Sequence, residues 1–186
     1  MRLFVAVNLP KKDRERISRA TRKLRETEMP VLWTDEDHYH VTLKFLGEVR
    51  RERLVEVTKA MQGVAESTKA FSTKFAGFGA FPSVRQPRVI WLGIAASPEL
   101  RLLKQDLEWS YGESGFEAET RAFHPHVTVG RAGDRDGAGA FRGLDDLLAE
   151  LKCAGDVKVT SIDLMKSQLS PEGSTYTVLA SERLQP

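Results

Sequence analysis

The apolar positions of this chain fall into two rhythms, one of strands and one of helices. Leu3-Phe4-Val5-Ala6-Val7 is a nearly unbroken apolar run, so residues 2–8 read as a buried strand. Pro10 suits a first helical turn and opens a helix over about 11–27. A loop with Pro30 and Trp33 leads into a strand over roughly 38–46 that ends at Gly47. Leu54, Val57, Ala60, Met61 and Val64 recur at helical spacing, which predicts a charged amphipathic helix over about 51–66. Residues 71–78 alternate as a strand, and 79–87, with Pro82, Arg85 and Pro87, read as a turn or exposed tip. Residues 88–94 form a strongly apolar strand around Trp91, read as core. Ser97-Pro98-Glu99 starts a helix that runs to about Tyr111. A strand over about 124–130 follows, then a flexible glycine-rich segment over 133–139. The chain closes with a helix near 141–152, a strand at about 157–167, a turn at 170–173 and a strand near 175–182.

These elements repeat. A shift by 126 − 40 = 86 residues lays Arg2–Val7 on Arg88–Gly93, the first helix on the third, and Phe71–Phe78 on Val157–Leu164. This predicts an internal duplication, approximately 1–86 and 87–172, with a C-terminal strand over 173–186. Two related halves imply two lobes about a pseudo-two-fold axis, with a cleft between them.

The strands that coincide hold all four histidines: His38-Tyr39-His40-Val41-Thr42-Leu43 and His124-Pro125-His126-Val127-Thr128-Val129. Strand side chains alternate faces, so His40 and Thr42 share one side while Val41 and Leu43 face the core. His126 and Thr128 stand in the same way against Val127 and Val129. By the same parity Phe45 belongs to the core, and Lys44 joins His40 as a weak phosphate candidate.

Two opposed imidazoles suit in-line substitution at phosphorus. A neutral ring takes a proton from the attacking oxygen, and a protonated one gives a proton to the departing oxygen. Both states are accessible near an unperturbed pKa of about 6.5. The hydroxyls of Thr42 and Thr128 can donate to the non-bridging oxygens, and Arg131, ending the second strand, can hold a phosphate by charge. The residues alone leave open which imidazole is acid and which is base. A bland reading stands beside each. Histidines are often ordinary core or surface residues, threonine favours strands, and an arginine is commonly solvated. Two matched copies favour chemistry for His40 and His126. His38 and His124 share their partners' face, so a four-histidine zinc site is an alternative, but no carboxylate or thiolate ligand accompanies them. They read instead as flanking residues near the cleft mouth.

Composition narrows the rest. With 28 Lys and Arg against 26 Asp and Glu, the net charge of +2 gives no basic tail, only room for a local cationic groove. The single cysteine, Cys153, cannot form an internal disulfide and reads as an inert apolar residue, which suits a reducing cytoplasm. The apolar start is short and runs at once into Lys11–Arg16, so it reads as a strand and helix rather than a signal peptide. No stretch is long enough to span a membrane.

His40-Val41-Thr42-Leu43 and His126-Val127-Thr128-Val129 resemble the paired HxTx motifs of the 2H phosphoesterase superfamily. Trp33, Phe45-Leu46-Gly47-Glu48 and Phe123-x-Pro125-His126-x-Thr128-x-x-Arg131 are similar to one branch, the RNA 2′,3′-cyclic phosphodiesterases, also called 2′-5′ RNA ligases. Arg2–Pro10 and Arg88–Gly93 carry the likeness further, so it spans nearly the whole chain. The resemblance implies an α+β fold of two pseudo-symmetric lobes, each an antiparallel sheet with helices on its outer face. It implies opening of an RNA 2′,3′-cyclic phosphate to a 2′-phosphate, with His40 as proton donor, His126 as proton acceptor, and neither metal nor other cofactor. The implied partner is RNA with such ends, tRNA fragments included, bound by a monomer with no membrane association. A 5′-hydroxyl in place of water would give ATP-independent 2′-5′ ligation at the same site. A cyclic nucleotide or ADP-ribose cyclic phosphate as substrate, or an RNA-binding module without turnover, are the rival readings.

Overall fold

The apolar runs pair side by side in the computed structural model, which describes every residue except Arg135 and Ala138; those two positions of the segment expected to be flexible lie outside the described residues. Strands β1 (Arg2–Asn8), β2 (Val31–Trp33), β3 (His40–Glu48), β4 (Phe71–Pro82), β5 (Pro87–Ile94), β6 (His126–Ala132), β7 (Asp156–Val159), β8 (Ser161–Ser170) and β9 (Gly173–Arg183) join in one sheet. Their order is β7-β4-β5-β6-β3-β1-β8-β9, with β2 beside β6. The named pairs are all antiparallel. Helices α1 (Lys11–Ala20), α2 (Arg22–Arg25), α3 (Leu54–Ser67), α4 (Pro98–Glu113) and α5 (Leu144–Glu150) lend their apolar sides to one core. Ile17, Leu24, Met61, Leu103, Leu107 and Leu148 meet Leu3, Val5, Leu43, Ile90, Leu92, Val127 and Val129 there. Alternation then leaves the other side of β1, β3, β5 and β6 for a site.

The two lobes, β3-β1-β8-β9 and β6-β5-β4-β7, meet where β3 pairs β6 at Val41 and Val127. Each lobe borrows from the other half of the chain: β4 pairs β5, and β8 pairs β1. This α+β arrangement of antiparallel sheets and helices agrees with the expected fold class.

Strict alternation fails at several places, and two of them, one on each histidine strand, shape the site. On β3 the register against β1 steps from Ala6–Thr42 to Val5–Lys44, leaving Leu43 as an extra residue. On β6 it steps from Trp91–Thr128 to Ile90–Gly130, leaving Val129 extra. These are β-bulges, which reverse the parity of the residues that follow, on β3 as far as the next register shift at Leu46. Lys44 and Gly130 therefore turn inward with the core, and Phe45 and Arg131 turn out beside the histidines. Phe45 is 53% exposed and Lys44 is 1% exposed, the reverse of the parity expectation. The Lys44 ammonium donates to Glu108 (2.8 Å) and to the Glu117 carbonyl (2.6 Å), so it is no phosphate ligand.

Other boundaries move for local reasons. The first helix breaks at Thr21, whose hydroxyl donates to the Ile17 carbonyl at 2.9 Å. The histidine strands begin at His40 and His126 rather than two residues earlier. The expected loop over 79–87 is mostly strand, because Gly79 lets the Trp91 indole lie on its backbone; a Cβ there would come within 2.4 Å of the ring. The strand expected near 157–167 is two, β7 on β4 and β8 on β1. The last helix shortens to Leu144–Glu150, and β2, read as loop, pairs with Gly130–Ala132. The ungapped superposition is also off by one in its first strand. Ala6 faces Thr42 as Trp91 faces Thr128, so Ala6 matches Trp91, a shift of 91 − 6 = 85. Among the described residues no helix is long and apolar enough to cross a membrane.

The bulge on β3 makes a direct test. Phe45→Ala should change stability by about 0.5 kcal/mol or less in urea titration, where a core phenylalanine would cost about 3–5 kcal/mol. Lys44→Met, which removes two hydrogen bonds from a buried ammonium, should cost about 1.5–3 kcal/mol.

Candidate active site

Val41 and Val127 point into the core, so their strand neighbours point out together. Antiparallel pairing through Val41–Val127 sets His40 toward Thr128 and Thr42 toward His126. His40 and His126 then lie on the same face to either side of that pair, close enough for the charge of one to act on the other. The structure thus brings His40, Thr42, His126 and Thr128 to one face, and the second bulge adds Arg131.

Each imidazole is aimed by its own chain. His40 Nδ1 lies 2.7 Å from the His38 carbonyl, and His126 Nδ1 lies 2.7 Å from the His124 carbonyl. A carbonyl only accepts, so Nδ1 carries the proton and Nε2 is left for the cleft. His38 and His124 act here through their backbones. Their side chains pack edge-on to aromatic rings, His38 on Tyr176 at 5.3 Å and His124 on Phe81 at 5.2 Å. They do not converge with His40 and His126 on one point. Among the described residues no three His, Cys, Asp or Glu side chains gather as a metal site.

Aromatic rings floor both wings. Phe4 and Tyr176 lie 5.2 and 5.0 Å from His40, and Phe81 and Trp91 lie 5.3 and 6.3 Å from His126. Trp91 is half-buried beside the site, not core as its strand suggested, because it matches Ala6 on the open face.

These surroundings govern the protons. Burial pulls the His40 imidazole from 6.5 down to about 4, against the His38 hydrogen bond, and the charges of Arg131, His38 and His126 lower it further. Burial also lowers His126, and Arg131 and His124 add to this. These shifts favour two neutral rings at neutral pH.

The cleft has two connected parts that share Thr42, Phe45 and Arg131. One, of about 810 Å³, is mostly apolar and runs past His126 and Thr128 to Phe81, Phe123, Arg88 and Arg121. The other, of about 280 Å³, runs past His40 to Arg2, Ser167, Leu169, Ser174 and Tyr176. The wall of the first part is the segment 114–125. Lys44 from β3, with Glu108 and Lys104 from α4, ties it down through Glu117 and Glu119. Burial works against the Glu108 carboxylate, but the Lys104 and Lys44 ammonium groups outweigh it and hold its pKa low. Phe45, Tyr176 and Phe81 were missed as site residues from sequence. Only the inverted burial at a bulge would have exposed Phe45.

A model of the LigT like phosphoesterase family matches the chain twice, over residues 7–91 and 92–176. The chain belongs to the LigT like phosphoesterases. It is 31% identical over 186 residues to an RNA 2′,3′-cyclic phosphodiesterase of Methanothermobacter thermautotrophicus, covering 99% of each chain. Its fold is similar to that of TT0787 of Thermus thermophilus, with TM-score 0.82, 27% identity, and coverage of 100% of this chain and 98% of that one. Escherichia coli LigT complexed with 3′-AMP is also similar, with TM-score 0.77, 27% identity and coverage of 100% and 98%. A phosphoesterase of this family is a hydrolase, and the two family matches each contain one His-x-Thr pair.

The depressed rings carry a stability cost in acid. An imidazole lowered in the folded state takes up its proton more readily when unfolded. Stability is complete above about pH 6.5 and falls as pH drops through 4. His40 alone should account for on the order of 3 kcal/mol. Urea titrations at neutral and acid pH should show a slope that His40→Gln reduces. Arg131→Gln should raise both histidine titrations, followed by NMR of the imidazole protons.

Proposed function

We propose that this LigT like phosphoesterase opens RNA 2′,3′-cyclic phosphate ends to 2′-phosphates without a metal ion, with His40 as proton donor and His126 as proton acceptor. The observation that carries this is the pair of imidazoles on one face, each held by a backbone carbonyl at Nδ1, with Arg131 beside both. The names of its relatives support RNA as the substrate.

In the mechanism His126 Nε2 takes a proton from water as the water oxygen bonds to phosphorus. The bond from phosphorus to the 3′-oxygen breaks, and protonated His40 Nε2 gives its proton to that oxygen. The Thr42 and Thr128 hydroxyls and the Arg131 guanidinium donate to the non-bridging oxygens, where charge builds. With a 5′-hydroxyl in place of water, the same steps form a 2′-5′ phosphodiester. The ring strain of the cyclic ester drives either course.

Burial lowers both imidazoles, His40 to about 4, which runs against a protonated His40 donor taken alone. The substrate resolves this: a phosphate anion between the rings favours the charged imidazole. The free enzyme therefore reacts through its minor protonation state. The pH profile of kcat/KM should be a bell centred on the acid side of 6.5, and that of kcat should lie higher.

Roles separate by leaving group. His40→Ala and His126→Ala should each lose about 10²- to 10⁴-fold in rate on a cyclic-phosphate oligonucleotide in EDTA. A 3′-thio analogue, whose thiolate leaves without a proton, should restore turnover to His40→Ala and not to His126→Ala. Rescue of the other variant would reverse the roles. Full activity in both, or loss of wild-type activity in the chelator, would end the proposal.

A further inference from the structure

The two parts of the cleft differ in chemistry, and a mononucleotide cannot fill both. A cyclic phosphate between the rings has one ribose and one base. The apolar part past His126, at about 810 Å³, is roomy enough for a nucleoside. The part past His40 is smaller and is built differently. At about 280 Å³, it presents the Arg2 guanidinium, the Ser167 and Ser174 hydroxyls and the Tyr176 ring.

Sheet register makes this second part a fixed surface. Arg2 pairs with Ser167, and Ser167 pairs with Tyr176, so the three form one row across β1, β8 and β9. Leu169 pairs with Ser174 in the next row. Strand β1 is paired on both sides at Arg2, with Glu48 and with Ser167. Its guanidinium therefore leaves a held backbone. Tyr176 is braced edge-on by Phe4 at 5.6 Å and by His38 at 5.3 Å. Leu169, 69% exposed, stands at the rim.

We propose that this surface is a subsite for a second nucleotide, the one next to the cyclic end of an RNA chain. It deepens the reading of the reaction given above and rests on it. Arg2 takes the phosphodiester that joins the two nucleotides, by charge-assisted hydrogen bonds. Ser167 and Ser174 take sugar hydroxyls, and the base lies against Tyr176 and Leu169. A cation, paired hydroxyls and a braced aromatic ring on a bare sheet face are what a single-stranded sugar-phosphate chain requires. The surface is also continuous with the reaction centre, because His40, Thr42 and Arg131 line it too. Such a site makes the enzyme an RNA-end hydrolase and not a mononucleotide one.

The test compares adenosine 2′,3′-cyclic phosphate with the dinucleotide ApA bearing a 2′,3′-cyclic phosphate. In the wild type kcat/KM for the dinucleotide should exceed that for the mononucleotide by about tenfold or more. Arg2→Gln, an exposed change that spares the fold, should cut this ratio at least threefold. It should also lower the salt slope of dinucleotide binding by about one. The double variant Arg2→Gln with Ser167→Val should bring the ratio near unity. A wild-type ratio near one, or a ratio untouched in the double variant, would overturn the subsite. If neither substrate turns over, it is the reading of the reaction that fails. The subsite is then judged by affinity for the two 2′-phosphate products, and equal affinities sink it.

Discussion

Among the described residues the strands of the two lobes meet at a single register position, Val41 against Val127, and the site depends on it. Both side chains are buried, at 3% and 0% exposure. They belong to one apolar core that spans both lobes, and its removal from water holds the lobes together. The same pairing decides what stands on the other face. Once these two valines point inward, His40, Thr42, His126 and Thr128 have only one side left to them. Among the described residues the contact stops at one register position, so β3 and β6 part on either side of it. The parting opens a cleft at the place where the imidazoles emerge. Chemistry and cohesion thus share four consecutive backbone positions in each strand.

The two bulges show how one backbone device serves two ends. On β3 the inward residue is Lys44, whose chain reaches beneath the sheet to Glu108 and the Glu117 carbonyl. A lysine from the first lobe thereby fastens the segment that walls the second. On β6 the inward residue is Gly130. A Cβ there would come within 2.6 Å of Val31 and 2.7 Å of Trp33, so the glycine admits β2 against β6. The outward residues differ as well. Phe45 offers a ring and Arg131 a charge, at matching places in the two lobes. The backbone device is shared by the two lobes while the outward side chains differ. On the proposed reaction, one wing serves a base while the guanidinium stays near the phosphate.

Much of this was legible in the sequence because it follows from period and pattern. The apolar run at Leu3–Val7, the helical spacing from Leu54 to Val64 and the face shared by His40 and Thr42 depend on local alternation alone. What escaped depends on partners. A bulge has no composition of its own; Leu43-Lys44 and Val129-Gly130 reveal one only when β1 and β5 lie alongside. The Thr21 break turns on one hydroxyl returning to a carbonyl four residues back. Trp91 reads as core until Gly79 makes room for it on the open face. The role of His38 and His124 was hidden because it belongs to their carbonyls, which every residue has. The His-x-His spacing was visible, and its meaning required a ring turned back on its own strand.

Those carbonyls also explain how the site stays ready without being charged. A hydrogen bond at Nδ1 fixes the ring and by itself favours protonation, yet burial outweighs it at both histidines. Arg131 adds to the depression from the same side on which a phosphate would bind. With both rings neutral, the arginines that line the cleft, Arg131 among them, supply the positive charge that draws an anion. On the proposed reaction, arrival of the anion offsets Arg131 and lets an imidazole take up its proton beside the oxygen that must leave. The substrate itself thus completes the acid-base pair. On that reading two rings held alike by a carbonyl at Nδ1 perform opposite steps because of where the leaving oxygen lies.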